Sequence, residues 1–495
     1  MNSRPGVSPR LTAMALAILL AACAAGPDFE SPALPEQARR SYTATPVPAV
    51  TASAPVAGGA AQRFTAADAM PARWWNLFRS PSLDQLVRAG LKNSPNVAAA
   101  QAALRQAEEN YRAEAGELLA PSVTAQTSAE RGRSAQLAAP GAKASNLFGA
   151  SVHVAYALDV AGGNRRELEG VAARIDYQRF EVEATYQTLV ANIVTTAIRE
   201  ASLRAQLQST NAVLSLENAH LSVVEAQHAA GAIPLALVLQ QRTQVAEAEA
   251  TIPPLEKSLA FARHQLAVYV GQAPGSGGLP EFDLESLHLP ETLPLTLPSS
   301  LVRQRPDIRA SEALLHVASA QVGVATAALY PQINLSANLG SEALKPSALF
   351  GAGGGLWNLA AGVTQPLFNG GALHAEKRAS EAAYEQAGAQ YEETVLLAFQ
   401  NVADALRAIE FDAVALQRLA EADALARESL DVSTRQYRLG AVSHLVLLDA
   451  QRTYQQTRLD LVQAQANRFA DTAALFQALG GGWWNAPTDF PKEQS

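Results

Sequence analysis

The sequence predicts an α+β membrane protein in which amphipathic strands lead into very long helices. Three observations support this fold class. An uninterrupted helical pattern covers residues 372–439, several times the length of an ordinary helix. Segments of about ten residues alternate apolar and polar side chains, as half-buried strands do. The same order of elements recurs after about 209 residues, so we interpret the chain as an internal tandem repeat.

The first 22 residues have the pattern of an export signal. Two arginines precede a short apolar run, residues 11–20, and small residues lead up to Cys23. Because Cys23 is the only cysteine, it forms no disulfide within the chain. Leu20-Ala21-Ala22-Cys23 resembles the lipobox of bacterial lipoproteins, which implies a lipidated Cys23, and Ala24 in place of aspartate implies export to the outer membrane. The alternative is an ordinary signal peptide beside an incidental cysteine.

Composition divides the rest of the chain into five parts. Residues 23–72, rich in proline and alanine, predict an extended tether, which the aromatic run at 73–78 docks onto the folded body by simple packing. Residues 73–273 and 301–482 form two structural repeats, joined by a proline-rich linker at 274–300 and followed by a tail at 483–495. After the signal no apolar run approaches twenty residues, so we expect no transmembrane helix and assign any membrane crossing to strands.

Each repeat is predicted to contain a helix, two strands, a long helix and a return helix. Gly231 and Gly440 lie 209 positions apart (440 − 231), and so do Gly271 and Gly480 (480 − 271). Pro253-Pro254 predicts an interruption of the first return helix. The predicted boundaries are 83–119, 122–131, 148–160, 164–230 and 235–270 in the first repeat, and 306–329, 332–343, 356–368, 372–439 and 443–479 in the second.

The second long helix carries a heptad pattern. Its apolar residues from Val395 to Leu416 are spaced alternately four and three positions apart. This spacing keeps one apolar stripe facing a neighbouring helix along a left-handed coil. At 1.5 Å per residue the helix would reach on the order of 100 Å, so we expect it to pack lengthwise against another helix.

The strand segments carry apolar side chains on one face and polar side chains on the other. Every second residue is apolar from Phe148 to Leu158 and from Ile333 to Leu339. Such segments suit a transmembrane barrel with a wet interior; the alternative is a half-buried strand in a soluble sheet. Four strands cannot close alone, because outer-membrane barrels begin at about eight strands. Two, three or four copies would supply eight, twelve or sixteen strands, and only the last two leave an appreciable lumen.

Charge and motifs argue against other functions. The net charge of −8 disfavours a nucleic-acid partner. The glycine-rich run at 351–355 lies between strands and is followed by no Walker lysine, so it is not a phosphate loop. The eight histidines are scattered and have no cysteine partners for zinc. We therefore predict that the protein is not an enzyme and has no cofactor apart from the covalent lipid on Cys23.

Six stretches together resemble the TolC family of outer-membrane efflux channels, in its lipoprotein branch that serves tripartite drug pumps. They are Cys23–Phe29, Arg73–Phe78, Arg305–Ala310, Gln365–Gly371, Tyr437–Ala441 and Leu447–Arg452. The resemblance implies a homotrimer with a twelve-stranded transmembrane β-barrel, four strands per chain, continuous with a long periplasmic α-helical barrel. It also implies three partners, namely a periplasmic adaptor (membrane-fusion) protein, an inner-membrane pump of the resistance-nodulation-division class, and outer-membrane lipid.

The resemblance further implies a functional site at the periplasmic end. It places the adaptor contacts at two helix-turn-helix tips, Gly231-Ala232 and Gly440-Ala441, where glycine suits a tight reversal. Asp449 lies where the family has an acidic ring, and three copies would bring three carboxylates around one axis. Tyr437 and Asp449 are therefore the candidate periplasmic gate. A solvated aspartate on a helix face is the alternative.

This chain departs from the family at several gate positions. Val442 and Val446 stand where some members carry a basic and an acidic residue. Gln240 is the first-repeat counterpart of Asp449, and Leu237 replaces a possible acidic partner. A lock made of opposite charges is therefore not expected here.

These features predict a passive exit duct, through which drugs or other small molecules leave with energy supplied by the partner pump. One alternative is the outer-membrane channel of a type I protein secretion system. A different class is a structural coiled-coil lipoprotein that spaces the membrane from the cell wall. The strands distinguish the last reading, because the apolar strand faces of a spacer would be exposed to water.

Overall fold

The computed structural model describes residues 25–33, 41–65, 70–132, 144–296 and 298–485. The signal peptide, the lipid site at Cys23 and residues 486–495 of the predicted tail lie outside these ranges. No helix within the ranges has both the length and the apolar character needed to cross a membrane.

The described residues form six strands and eight α-helices, with short 3₁₀ turns between them. The strands are β1 (Arg63–Thr65), β2 (Ser122–Gly132), β3 (Ser145–Leu158), β4 (Thr292–Pro294), β5 (Gln332–Ala343) and β6 (Gly355–Thr364). The helices are α1 (Pro81–Asn93), α2 (Pro95–Leu119), α3 (Gly163–Ala229), α4 (Leu235–Tyr269), α5 (Pro298–Gln304), α6 (Pro306–Ala327), α7 (Ala372–Arg438) and α8 (His444–Ala478). The order α2-β2-β3-α3-α4 recurs as α6-β5-β6-α7-α8, as the sequence predicts.

Contacts along the chain divide it into two compact units. The first comprises Met1–Pro32, Ala103–Arg179 and Ala310–Glu392 and contains a four-stranded sheet. The second comprises Ala33–Ala102, Phe180–Arg309 and Glu393–Ser495 and contains β1, β4 and the helical hairpin turns. Each unit takes residues from both sequence halves, so this division is a different one from the two predicted repeats, which stay a prediction.

The sheet of the first unit is antiparallel, in the order β2-β3-β5-β6. Its register pairs apolar residues with apolar residues across the strands, so the alternation within each strand produces one continuous apolar face. For example, Val152 pairs with Leu339, which in turn pairs with Trp357. Other members of this face are Val123, Ala125, Val154, Tyr156, Leu158, Ile333, Leu335, Ala337, Leu359 and Val363.

The apolar face is exposed in the single chain. Trp357 is 78% exposed and Leu339 67% exposed, and the polar residues Asn338 and Ser336 lie on the opposite face. Within the described residues, β2 and β6 are edge strands with one strand neighbour each. An apolar face of this extent and two unpaired edges require covering by something outside the chain.

The long helices pack through the predicted heptad stripe. Helices α3 and α7 have 67 residues each, and α4 and α8 have 35 each. The stripe residues Val395, Val402, Leu406, Ile409, Ala413 and Leu416 are buried. Phe399 is half-buried and packs edge-on against Tyr42 at 6.0 Å between ring centroids. Leu416 packs with Leu461 and Ala464 of α8, so the prediction of lengthwise packing is confirmed.

The predicted interruption of the first return helix is wrong. Helix α4 continues through Pro253 and Pro254. Both prolines are exposed, while Ala248, Ala262 and Leu266 of the same helix are buried. Proline removes a backbone donor, but on an exposed face the freed carbonyl groups are available to water. Packing of the opposite face therefore keeps the helix continuous.

Two other predicted boundaries are also wrong. The first helix of repeat one is broken at Ser94, which is extended, and a new helix begins at Pro95. A residue before proline avoids the helical region, and proline is favoured as the first residue of a helix. The strand predicted to reach Phe368 ends at Thr364, just before Pro366, which lacks a donor for a ladder hydrogen bond.

The tether is more ordered than the sequence predicts. Residues of β1 pair in parallel with β4 in the inter-repeat linker, a small sheet that the sequence did not reveal. The Nε2 atom of Gln62 donates to Pro290 O and to Thr472 Oγ1, each at 2.9 Å. As predicted, the aromatic run that ends the tether is buried by packing, with Trp74 centred 5.5 Å from Phe476. The tether therefore docks over much of its length.

A buried arginine holds the docked tether. Arg468 of α8 has no exposed surface. Its Nη1 donates to Ile409 O at 2.8 Å, and its Nη2 donates to Thr51 Oγ1 at 3.4 Å and to Ala60 O at 3.5 Å. Burial lowers the pKa of the Arg468 guanidinium, and Asp471 opposes this effect. Arg468 thus joins the tether to both helices of the α7–α8 pair.

Arg468→Met is expected to lower the free energy of unfolding by about 2–4 kcal/mol, because it leaves buried carbonyl oxygens without donors. Thermal unfolding of the purified protein, followed by circular dichroism, measures this loss. Proteolysis within residues 49–62 is expected to accelerate in parallel. The control is Arg458→Met, since Arg458 is partly exposed and lies 3.9 Å from its nearest carboxylate. If both variants behave like the unmutated protein, Arg468 does not hold the tether.

Candidate functional site

The turn between α3 and α4 is a Schellman motif, the helix end that glycine favours. The amide of Gly231 donates to His228 O at 2.8 Å and the amide of Ala232 donates to Gln227 O at 2.9 Å. Gly231 has a φ of 74° and a Cβ there would meet no atom within 4 Å. Glycine is therefore used for its backbone conformation, which L side chains rarely adopt.

The turn between α7 and α8 repeats this geometry. The amide of Gly440 donates to Tyr437 O and the amide of Ala441 donates to Gln436 O, each at 2.9 Å. Gly440 has a φ of 71°. The structure thus places both predicted tips at tight helix reversals. Apolar side chains around the two tips are exposed, namely Leu235, Leu239, Leu439, Leu445 and Val446.

Tyr437 lies between two imidazoles. Its ring centroid is 6.0 Å from that of His220 on α3 and 5.4 Å from that of His444 on α8. Its hydroxyl donates a long hydrogen bond of 3.4 Å to Gln227 Oε1. Burial raises the pKa of the Tyr437 hydroxyl. Tyr437 therefore bridges the α3–α4 hairpin and the α7–α8 hairpin.

Asp449 is exposed on α8. Its backbone carbonyl accepts the Thr453 hydroxyl at 2.9 Å, and among the described residues its carboxylate forms no ion pair. No hydrogen bond in the described chain joins Asp449 to Tyr437. The single chain therefore does not bring the two predicted gate residues together, and an acidic ring at Asp449 stays a prediction. Cys23, the predicted lipid site, lies outside the described residues.

A layer of polar side chains lies in the core beside the tips. We use the term polar layer for Glu217 and His220 on α3, Gln241 on α4, and His444 and Gln451 on α8. Four of them are at most 4% exposed, and His220 is half-buried. They occupy positions where the heptad spacing requires apolar residues. On α3 the inward positions are Thr210, Val213, Glu217, His220 and Val224, spaced three and four apart.

Most polar atoms of this layer have no hydrogen-bond partner. Within the described structure, both carboxylate oxygens of Glu217, both ring nitrogens of His444 and Nδ1 of His220 are buried and unpaired. The Oε1 atoms of Gln241 and Gln451 are also unpaired. The one hydrogen bond inside the layer runs from Gln241 Nε2 to the backbone carbonyl of Glu217 at 3.3 Å. Buried polar groups without partners are uncommon and costly.

Burial shifts the titration of the layer toward its neutral forms. It raises the pKa of Glu217 from 4.5 to about 7, assisted by the charge of Glu247 and opposed by Arg452 and the Gln244 amide. Burial also lowers the pKa of His444. It lowers the pKa of His220, and His444 and Arg438 add to this effect. The layer is therefore stable when its acid is protonated and its imidazoles are neutral.

A groove of about 970 Å³ runs along the layer between α3, α7 and α8. Its wall includes Glu217, His220 and Tyr437, and its apolar residues are Val213, Leu216, Val223 and Leu430. Within the described residues no cluster of three histidine, cysteine or acidic side chains has the geometry of a metal site.

The polar layer was not predicted from the sequence. The signal was present, because Glu217 and His220 interrupt the apolar positions of a heptad register that can be counted back from Val224. The sequence neighbours of Glu217 are an exposed leucine and an exposed asparagine, Leu216 and Asn218, so local polarity alone does not show that Glu217 points inward.

The comparisons with known proteins agree with the fold. The model of the outer membrane efflux protein family matches residues 86–272 and again residues 297–481. A pyoverdine export outer membrane protein of Pseudomonas putida, OpmQ, is 34% identical over 458 residues, which cover 89% of this chain and 94% of the relative. A toluene efflux pump outer membrane protein of Pseudomonas putida, TtgC, is 28% identical over 471 residues. The match covers 94% of this chain and 94% of the relative.

The solved structure of the outer-membrane channel OprN has a TM-score of 0.83 and 28% identity, covering 93% of this chain and all of that chain. The names of these proteins describe export and efflux rather than catalysis. They confirm the resemblance drawn from the sequence motifs and the predicted outer-membrane location. Since the family model covers most of both halves, and one relative above 30% identity spans nearly the whole chain, the protein belongs to the outer membrane efflux protein family.

Proposed function

We propose that this protein is the outer-membrane exit duct of a tripartite efflux pump, conducting small molecules passively from the periplasm to the exterior. The observation that carries the proposal is the four-stranded sheet with an exposed apolar face, an opposite polar face and two free edges. In lipid every backbone group needs a partner within protein. Free edges at β2 and β6 are therefore compatible with a membrane only if other copies of the chain pair with them.

A homotrimer satisfies this requirement. Transmembrane strands need about nine to eleven residues, and β2, β3, β5 and β6 have 10 to 14. Three chains would supply twelve strands, enough to enclose a lumen. The polar residues on the face opposite Trp357 would line this lumen with water. The duplicated order of elements supports a tandem repeat that gives each chain two hairpins of strands and two of helices.

The hairpin tips are proposed to bind the periplasmic adaptor. Exposed apolar residues such as Leu439 and Leu445 surround Gly231-Ala232 and Gly440-Ala441. Exposed apolar patches of this kind mark interaction surfaces. The adaptor would in turn join the duct to an inner-membrane pump of the resistance-nodulation-division class, which supplies the energy. Relatives named for pyoverdine and for toluene carry different cargoes, so we assign selection of the compound to the pump.

A covalent lipid on Cys23 is proposed to anchor the same unit that carries the sheet. The chain just after Cys23 is held by Arg166, which is 6% exposed in its side chain. Its Nε donates to Ala25 O at 3.1 Å and its Nη2 donates to Asp28 at 2.7 Å. Phe29 stacks on His316 at 4.3 Å. A lipid on Cys23, two residues before the Arg166 contact with Ala25, would enter the bilayer close to the strands.

Trp357 gives a direct test of the membrane assignment. In bilayers containing brominated lipids, its fluorescence is expected to be strongly quenched, because it lies on the proposed lipid-facing side. Trp74 and Trp75 are buried and give little quenching. Trp357→Phe is expected to remove most of the quenched signal. Equal quenching in the Trp357→Phe variant, together with access of water-soluble quenchers to Trp357, would favour the structural lipoprotein instead.

Asp449→Ala is expected to raise the resting conductance of the purified trimer in planar bilayers by about twofold or more. The reason is that alanine removes three side chains that would narrow the proposed constriction. The control is Asp460→Ala, since Asp460 lies on the same helix and accepts the Gln456 amide at 2.9 Å. Unchanged conductance of an intact trimer would remove Asp449 from the gate, and the absence of pores in every variant would contradict the duct itself.

A further inference from the structure

The packing of the long helices changes character toward the tips. Between Val395 and Leu416 the heptad positions of α7 are filled by apolar side chains. Beside the tips, the corresponding inward positions of α3, α4 and α8 carry the polar layer. A polar residue at a heptad core position lowers the stability of a coiled coil while specifying its register. The packing beside the tips therefore mixes buried apolar residues, such as Val224, Val238 and Leu447, with buried polar ones.

Polar contacts join the two hairpins beside the tips. Tyr437 of α7 reaches Gln227 of α3 through the 3.4 Å hydrogen bond. Arg452 of α8 donates to Gln244 of α4 at 2.8 Å and lies 3.4 Å from Glu247. Tyr437 also packs against His220 of the other hairpin, and against His444 of its own. The position of Tyr437 thus depends on residues of the polar layer.

A charge in the layer would be poorly compensated. An ionised Glu217 would bury a carboxylate with no hydrogen bond of ordinary geometry, with only the Gln244 amide close enough to lower its pKa by hydrogen bonding, and a protonated His444 would bury a cation with two free donors. Several charged groups face the layer from neighbouring elements. They are Arg438, Arg427, Glu428 and Asp431 on α7, Arg452 on α8 and Glu247 on α4. The nearest opposite charge to Glu217 is Arg452, which is already bonded to Gln244.

We propose that Glu217, His220 and His444 are positioning residues of the gate, which hold Tyr437 and the two hairpins together while all three are neutral and release them when one becomes charged. This inference rests on the proposed function, which places a gate at the hairpin tips, and it adds the residues that control that gate. In the packed arrangement the carboxylate oxygens of Glu217, both ring nitrogens of His444 and Nδ1 of His220 are shielded from water. When the hairpins separate, water reaches them, and each group returns to its ordinary affinity for protons.

The acid and the imidazoles respond to pH in opposite directions. The packed form binds a proton on Glu217 more tightly than the separated form does. Separation therefore becomes more favourable as the pH rises from 4.5 to about 7, the two pKa values of Glu217. The imidazoles bind a proton more weakly in the packed form, so separation becomes more favourable as the pH falls below 6.5. The two effects oppose each other, because opening releases a proton from the acid and takes up protons on the imidazoles.

Hydrogen exchange of the full-length trimer measures hairpin separation without requiring a pore. The amides to follow are those of residues 213–227 and 444–454, corrected for the intrinsic pH dependence of exchange. In the variant H220Q/H444Q, Glu217 is the one of the three positioning residues that still titrates. The rate of amide hydrogen exchange in this variant is expected to rise about tenfold or more between pH 5 and pH 7, because of the two pKa values of Glu217. In Glu217→Gln only the imidazoles titrate, and exchange is expected to fall over the same range.

The unmutated protein is expected to show a slope between those of the two variants. The controls are Glu249→Gln and His264→Gln, since both residues are exposed on α4 and should leave the slope unchanged. A matching pH dependence of resting conductance would connect separation to the gate. Opposite slopes in the two variants, in trimers of normal size, support the proposal even if no pore conducts. Parallel slopes, or slopes equal to those of the controls, would overturn it while leaving the proposed duct intact.

Discussion

Lengthwise packing of the long helices is the constraint on which the rest of the molecule depends. Helices of 67 residues have few stabilising contacts of their own, so their order comes from the stripe that each presents to a neighbour. The stripe works only in one register, because a shift by a single residue turns the apolar positions away from the partner. The Schellman turns at Gly231 and Gly440 set that register by fixing where each hairpin reverses.

The strands inherit their placement from the same helices. Helix α3 begins five residues after β3 ends, and α7 begins eight residues after β6 ends. The connecting segments are short, so the position of each strand pair is tied to the first turn of a long helix. The sheet then presents residues of one kind on each face because the side-chain period of a strand is two. A one-residue slip would exchange its apolar and polar faces, which the paired register of Val152 and Leu339 prevents.

Much of this architecture could be predicted because its signals are local and periodic. The alternation around Phe148 and Ile333 identified β3 and β5 to within three residues, and the ends of α3 and α7 were predicted to within one. Failures arose where tertiary contacts overrule local preference. Pro253 lies inside a helix because its exposed position removes most of the cost. The β1–β4 pairing joins Phe64 to Leu293 across more than two hundred residues, and three-residue strands have no periodicity to detect.

The candidate site was only partly predictable for a related reason. A helix tip ending in glycine is visible in the sequence, and so is an acidic residue such as Asp449. Whether a given polar residue is buried depends on the register between helices, which a single sequence does not display. The charged side chain of Glu217 predicts a position in solvent, whereas its place in the heptad pattern predicts a position in the core. The structure shows that the spacing decides, and the buried carboxylate is the consequence.

Two buried acids show how the same physical effect has different results in different surroundings. Burial raises the pKa of Asp471 to about 8, but Asp471 shares a hydrogen bond with Asp412 and lies near the charge of Arg468. Arg468 in turn bonds to three carbonyl or hydroxyl oxygens, so the cluster connects the tether with α7 and α8. Burial also raises the pKa of Glu217, but neither of its carboxylate oxygens forms a hydrogen bond of ordinary geometry, and only the Gln244 amide and the charge of Arg452 oppose the shift. A connected polar cluster resists separation, because opening it breaks several hydrogen bonds at once. An unconnected one gains hydrogen bonds to water when it opens. The chain therefore places a polar cluster with several hydrogen bonds where the tether docks, and a polar layer with few hydrogen bonds beside the tips, where we propose the gate.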